Sequence, residues 1–122
     1  MPAVAKLGVV VLDCPDPSAL AGFYAEVLGG TAKADEDGTW VDVEVPGGQT
    51  LAFQAAPGYV PPKWPSPDHS QQFHLDLTVE DLDASEERVL ALGARPLDAA
   101  DRSRTWRVYA DPAGHPFCLC AC

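Results

Sequence analysis

Positive charge is scarce in this sequence. Eight Lys and Arg stand against 18 Asp and Glu, for a net charge of -10. A phosphate-binding face needs a basic stripe, so nucleic acid is not an expected partner. The acid excess favours solubility and identifies no substrate. Long apolar runs are also missing. None approaches the roughly 20 residues of a membrane span, and Met1 to Lys6 has no signal-peptide anatomy. The expectation is a cytoplasmic protein with no membrane partner. Cysteine is limited to Cys14, Cys118, Cys120 and Cys122, which an intracellular chain keeps reduced by default. The last three do not read as a metal cluster. Residues two apart on a strand are separated by about 6.5–7 Å, and thiolates bound to one zinc at about 2.3 Å lie closer together.

What the chain does have is patterning. Phe73, Leu75, Leu77 and Val79 alternate with His74, Asp76 and Thr78. Period-two alternation predicts a half-buried strand with its apolar side toward a helix-backed core. Its polar side carries a titratable His and a carboxylate. Asp81 then reads as an N-cap, followed by a helix with Leu82, Val89, Leu90 and Leu92 and a stop at Gly93. The same phrase opens the chain. Leu7 to Leu12 is a β-branched strand, Asp16-Pro17 starts a helix, and Leu20, Phe23, Tyr24, Val27 and Leu28 form its apolar stripe. Gly29-Gly30 ends it.

Three strands complete each half. In the first they are Thr31 to Ala34, Trp40 to Val45 and Thr50 to Gln54. In the second they are Arg95 to Leu97, Thr105 to Ala110 and Phe117 to Ala121. The landmarks pair off: Asp16 with Asp81, Gly29 with Gly93, Trp40 with Trp106, Gly48 with Gly114. The fold class is therefore α+β, a repeat of two βαβββ modules. Halves this short are expected to curl a mixed sheet around a shared cavity.

A chain of 122 residues fits one domain. Module 1 spans about 5–55 and module 2 about 72–122. The connector 56–71 holds Pro57, Pro61, Pro62, Pro65 and Pro67, which prevent regular structure. A connector of this length is a crossover or a lid. It also brings Trp64 within reach of a ligand.

These phrases resemble the vicinal oxygen chelate superfamily, which includes glyoxalase I, bleomycin-resistance proteins and extradiol dioxygenases. The resemblance rests on Phe23-Tyr24-Ala25-Glu26-Val27-Leu28-Gly29, Leu90-Ala91-Leu92-Gly93-Ala94 and Asp111-Pro112-Ala113-Gly114-His115-Pro116-Phe117. It implies four metal-ligand positions at fixed distances from the helix caps and turn glycines. Here these fall on Val9, Ala52, His74 and Cys118. Val9 and Ala52 have no donor atom, and a usual catalytic site needs about three protein ligands. No metal cofactor is therefore expected, although Gln54 and Asp76 stand on the same faces and are available to assist.

Alternation alone supplies the candidate ligand-binding residues. They are Trp40, Asp42 and Glu44 on one strand, Gln54 on the next, then His74, Asp76 and Cys118. Trp106 is ambiguous, because placing it with Trp40 turns Arg107 and Tyr109 toward the helix. His69 and His115 read as solvated loop residues.

The resulting expectation is a metal-free small-molecule-binding protein of the glyoxalase/bleomycin-resistance type that sequesters a drug or metabolite. By family analogy it would be a homodimer. The alternative is a lyase, isomerase or dioxygenase using His74 as acid or base beside Asp76, or a bound divalent metal. His74 is expected to face the cavity and to contact Asp76, Gln54 or ligand.

Overall fold

A computed structural model describes residues 3–122. The chain divides into two compact units between Tyr59 and Val60, and each is a βαβββ module. Module 1 comprises β1 (Val10–Cys14), α1 (Pro17–Leu28), β2 (Thr31–Ala34), β3 (Trp40–Glu44) and β4 (Leu51–Ala55). Module 2 comprises β5 (Leu75–Thr78), α2 (Leu82–Ala91), β6 (Arg95–Asp98), β7 (Trp106–Ala110) and β8 (Pro116–Cys120). The sheets have the same order, β1-β4-β3-β2 and β5-β8-β7-β6, with the first strand parallel to the last. Residues 56–71 contain neither helix nor strand. No helix among the described residues is long and apolar enough to cross a membrane.

Both helices start where their caps dictate. The Asp16 carboxylate accepts from the Ala19 amide at 3.2 Å, and Pro17 occupies the first turn, where its missing N–H costs nothing. Asp81 does the same for Ala84 at 3.1 Å. Gly29 ends α1 with φ of 69°, a left-handed conformation that favours glycine.

The two helices are held down differently. α1 buries Leu20, Ala21, Phe23 and Tyr24. Tyr24 stacks on Phe53 of β4 with ring centroids 5.5 Å apart, and Phe23 meets Tyr24 edge-on at 4.9 Å. α2 buries only Val89. Leu90 and Leu92, which the helical spacing assigned to its apolar stripe, are 39% and 38% exposed. A charge network holds α2 instead. Arg107 of β7, itself buried, donates to Asp83 at 2.9 Å, and the Tyr109 hydroxyl donates to Glu86 at 2.8 Å. Arg102 grips both Glu86 oxygens at 3.1 and 2.9 Å, the bidentate geometry that makes such pairs strong.

Several sequence expectations need correction. The first strand starts later than Leu7, and Leu7 is 70% exposed. Phe73 lies outside β5 and is 88% exposed rather than in the helix-side core. The core row it was expected to begin starts at Leu75, which pairs with Phe117. His115 is not a solvated loop residue. Its Nδ1 lies 2.9 Å from the fully buried Asp111 carboxylate, which also accepts from the Ala113 and His115 amides. The Cys120 and Cys122 side chains lie side by side. Cys122 lies beyond the end of β8, and the chain bends there. The two Cα atoms are 5.3 Å apart rather than at the extended-strand spacing.

Gly114 explains part of the connector's course. Its φ is 96°, and a Cβ there would fall 2.7 Å from the Pro61 Cβ. The proline of the connector therefore rests directly on the turn between β7 and β8, a close approach that only glycine permits.

Candidate functional site on the open face of module 2

Register assigns the faces. Arg107 and Tyr109 point to α2, since both bond to it. Alternation then sends Trp106 and Val108 to the opposite, helix-free face, which settles the orientation of Trp106. Cross-strand partners share a face. Val108 pairs with Cys118, and Cys118 with Asp76. Trp106 pairs with Cys120, and Cys120 with Thr78. Two adjacent rows thus cross the open face, one ending in Asp76 and the other in Trp106.

His74 stands just before β5 and reaches this face. Its Nε2 lies 3.0 Å from the Asp76 Oδ1, with the side chains 37% and 67% exposed. The Cys118 sulfur is the third member. The ligand atoms of His74, Asp76 and Cys118 all lie within 4.8 Å of one another. Burial pushes the Cys118 thiol up to about 11, helped by the Asp76 charge and by a hydrogen bond to that carboxylate. Arg104 acts in the opposite direction. The thiolate is the reactive form, so Cys118 is expected to be alkylated by iodoacetamide much more slowly than an ordinary thiol at neutral pH. The rate should climb until the pH passes about 11. A fast reaction at neutral pH would contradict this.

Arg104 was missed by the sequence reading. It lies over the Trp106 ring, 3.9 Å from the centroid, and pairs with Asp98 through both terminal nitrogens. Arg104 lies in the turn before β7, where strand alternation does not apply, so no periodicity marked it.

In module 1 the corresponding rows are Val11–Ala52–Asp42 and Asp13–Gln54–Trp40. The Trp40 indole donates to Asp42 at 2.9 Å. Gln54 is exposed beside Trp40, its register partner. Glu44 is exposed and paired with Lys33 at 3.1 Å. Trp64 is half-buried in the connector. His74, Asp76, Cys118 and Trp106 are therefore gathered on one sheet of module 2, and Trp40, Asp42 and Gln54 on one sheet of module 1.

The donor atoms are distributed unequally. Val9, Val11 and Ala52 occupy the places in module 1 that His74, Asp76 and Cys118 occupy in module 2. None of the three has a donor. A metal drawing ligands from both modules at these places does not fit this chain. The module 2 trio by itself is a mixed nitrogen, oxygen and sulfur set. Such a set suits a zinc-class ion better than Mn(II), which prefers all-oxygen or oxygen-rich ligands.

A family model described as a glyoxalase-like domain matches residues 9–120. Solved structures of related folds cover nearly the whole chain. A glyoxalase/bleomycin resistance protein/dioxygenase family enzyme from Burkholderia phytofirmans PsJN superposes with a TM-score of 0.72 at 18% identity, over 94% of this chain and 97% of that one. The fosfomycin resistance protein FosX from Listeria monocytogenes, complexed with Mn(II) and a dihydroxypropylphosphonic acid, gives 0.73 at 15% identity, over 98% and 91%. TnmS3, an antibiotic binding protein from Streptomyces sp. CB03234, gives 0.61 at 20% identity, over 98% of both chains. These likenesses establish a common fold. No curated protein matches the sequence.

Proposed function

The chain belongs to the glyoxalase-like domain family, and on that premise we propose that it is a small-molecule-binding protein that needs no catalytic metal to hold its ligand. The observation that carries this reading is the open face of module 2. There an aromatic surface, Trp106 on β7, shares the helix-free face with the His74–Asp76 pair, one row along and two strands across. Trp106 is 39% exposed. A flat or hydrophobic molecule gains contact area on such a ring, and the His–Asp pair supplies a donor and acceptors that fix its orientation. The resemblance in fold to an antibiotic binding protein supports sequestration of a drug or metabolite. Val9 and Ala52 support independence from metal. The reading includes a cytoplasmic homodimer, which a monomeric mass in solution would contradict.

The test is a thermal-shift screen of antibiotics and aromatic metabolites against chelator-treated protein. A stabilising compound is expected to bind the Trp106→Ala and His74→Ala variants at least about tenfold more weakly. Equal binding to both variants, or binding that disappears with the chelator, would overturn the reading.

One observation favours an enzyme instead. The 3.0 Å contact from His74 Nε2 to Asp76 is the arrangement by which a carboxylate orients an imidazole for acid–base work. Turnover lost in His74→Ala while ligand binding persists would select that reading.

A further inference from the structure

We propose that the Asp98–Arg104 pair forms a second polar end of the ligand site, across the sheet from His74 and Asp76. The site then takes an elongated, flat aromatic molecule. Its hydroxyl meets the His74–Asp76 end, and an acceptor oxygen, such as that of a carboxylate, meets Arg104. This rests on the ligand-binding reading and deepens it by naming the class of ligand.

The register places both ends on one face. Asp98 is the cross-strand partner of Val108, and Val108 lies on the helix-free face with Cys118 and Asp76. A single row, Asp98–Val108–Cys118–Asp76, therefore crosses every strand of the sheet with a carboxylate at each end. The two ends are separated by three strand spacings, about 14 Å between backbones. Each carboxylate holds a base. Asp76 lies 3.0 Å from the His74 Nε2, and the Asp98 carboxylate holds Arg104 at 2.9 and 3.1 Å. Between them the floor is the Val108 side chain and the Cys118 thiol. The charges of Asp76, Arg104 and Asp98 all act on that thiol, as they must if the two pairs flank it.

Arg104 is incompletely used. A guanidinium has about five N–H donors. Nη1 donates to the Asp98 Oδ2, and Nη2 donates to the Asp98 Oδ1 and backbone oxygen. Nη1 keeps a further N–H. Nε is buried without a partner, which costs free energy until something accepts from it. Arg104 also fixes the approach of a ligand. Its guanidinium lies 3.9 Å from the Trp106 ring centroid, so one indole face is covered by the cation and the other is left for an aromatic ring. A ring resting on Val108 and Cys118 meets Trp106 from the adjacent row. From there its two ends point at Arg104 and at the His74–Asp76 pair, whose carboxylate accepts from a hydroxyl.

The experiment titrates the whole, chelator-treated chain with three probes by calorimetry. The probe 6-hydroxy-2-naphthoate carries both end groups, 2-naphthol lacks the carboxylate, and 2-naphthoate lacks the hydroxyl. On the parent protein the two-ended probe should bind at least about tenfold more tightly than either of the others, the worth of one charge-assisted hydrogen bond. Arg104→Met keeps an unbranched chain over Trp106 and should erase the advantage over 2-naphthol. His74→Ala should erase the advantage over 2-naphthoate. Arg104→Lys, which keeps the charge, should recover part of what Arg104→Met loses. The comparison on the parent protein holds even where a variant folds poorly. The inference is overturned if the parent binds the two-ended probe no more tightly, or not at all. It is also overturned if Arg104→Met weakens all three probes equally, as a lost support for Trp106 would do. Binding that falls in Trp106→Ala but ignores Arg104 sinks this inference and leaves the ligand-binding reading standing. Binding indifferent to both Trp106→Ala and His74→Ala sinks the two together.

Discussion

Replacing Glu86 by Ala is expected to destabilise the protein by about 3 kcal/mol, because it leaves a buried cation short of its counter-charge. For a domain of this size that is a fall of about 10 °C in melting temperature. Glu86 accepts from Arg102 and Tyr109 and stands 3.8 Å from the buried Arg107. Without it, Arg107 keeps Asp83, whose side chain is 82% exposed, and the Tyr109 hydroxyl loses its acceptor. The effect is large because α2 has so little else, with Val89 as its one buried residue.

The same carboxylate makes the contribution pH-dependent. The hydrogen bonds from Arg102 hold Glu86 below its ordinary value of 4.5, against the opposing effect of burial, with Tyr109 and the Arg102 and Arg107 charges assisting. A carboxylate depressed in the folded state contributes stability above its unfolded pKa and loses it as pH falls through the folded value. The gap between parent and Glu86→Ala should therefore be full at neutral pH and shrink below the usual glutamate range. A constant gap, measured by denaturant unfolding across that range, would contradict the assignment.

Phe53→Ala in module 1 should cost about 3–5 kcal/mol, the usual cost of truncating a buried Phe. Phe53 is fully buried, stacked on Tyr24 and flanked by Leu12 and Val41 in the sheet. Nothing charged is involved, so the loss should be the same at neutral and acid pH. The pair of variants separates the two modes of helix attachment: an apolar one for α1 and an ionic one for α2. A Phe53→Ala cost under about 1.5 kcal/mol, the range of tolerated core swaps, would mean that this core is not close-packed.

Elements set by local chemistry were legible in the sequence. Asp16-Pro17, Asp81 and Gly29 mark helix ends because caps act within a few residues. The β5 alternation was legible because its period follows from the pleat. What the sequence could not give was long-range. The Arg107–Glu86–Tyr109 network brings together residues more than 20 apart, and no periodicity encodes such a partnership. Helical spacing consequently overstated the burial of Leu90 and Leu92. Phe73 was misplaced because alternation does not mark where a strand starts. At the candidate site, His74 beside Asp76 was readable from their two-residue spacing, although His74 lies just before β5. Cys118 was placed with them by the family resemblance, through its distance from Gly114; the parallel pairing of β5 with β8 that brings it there is long-range. Arg104 over Trp106 was overlooked because it lies in a turn before β7.

The central claim is that the open face of module 2, with His74, Asp76 and Trp106, is where the ligand binds, and that no metal is required. The most direct measurement is two-dimensional NMR of chelator-treated protein titrated with the compound the screen selects. The account predicts that the largest shifts fall on the His74 ring, the Asp76 amide and the Trp106 indole. It is contradicted if those three signals stay fixed while the compound binds elsewhere, or if they move only after a divalent metal is restored.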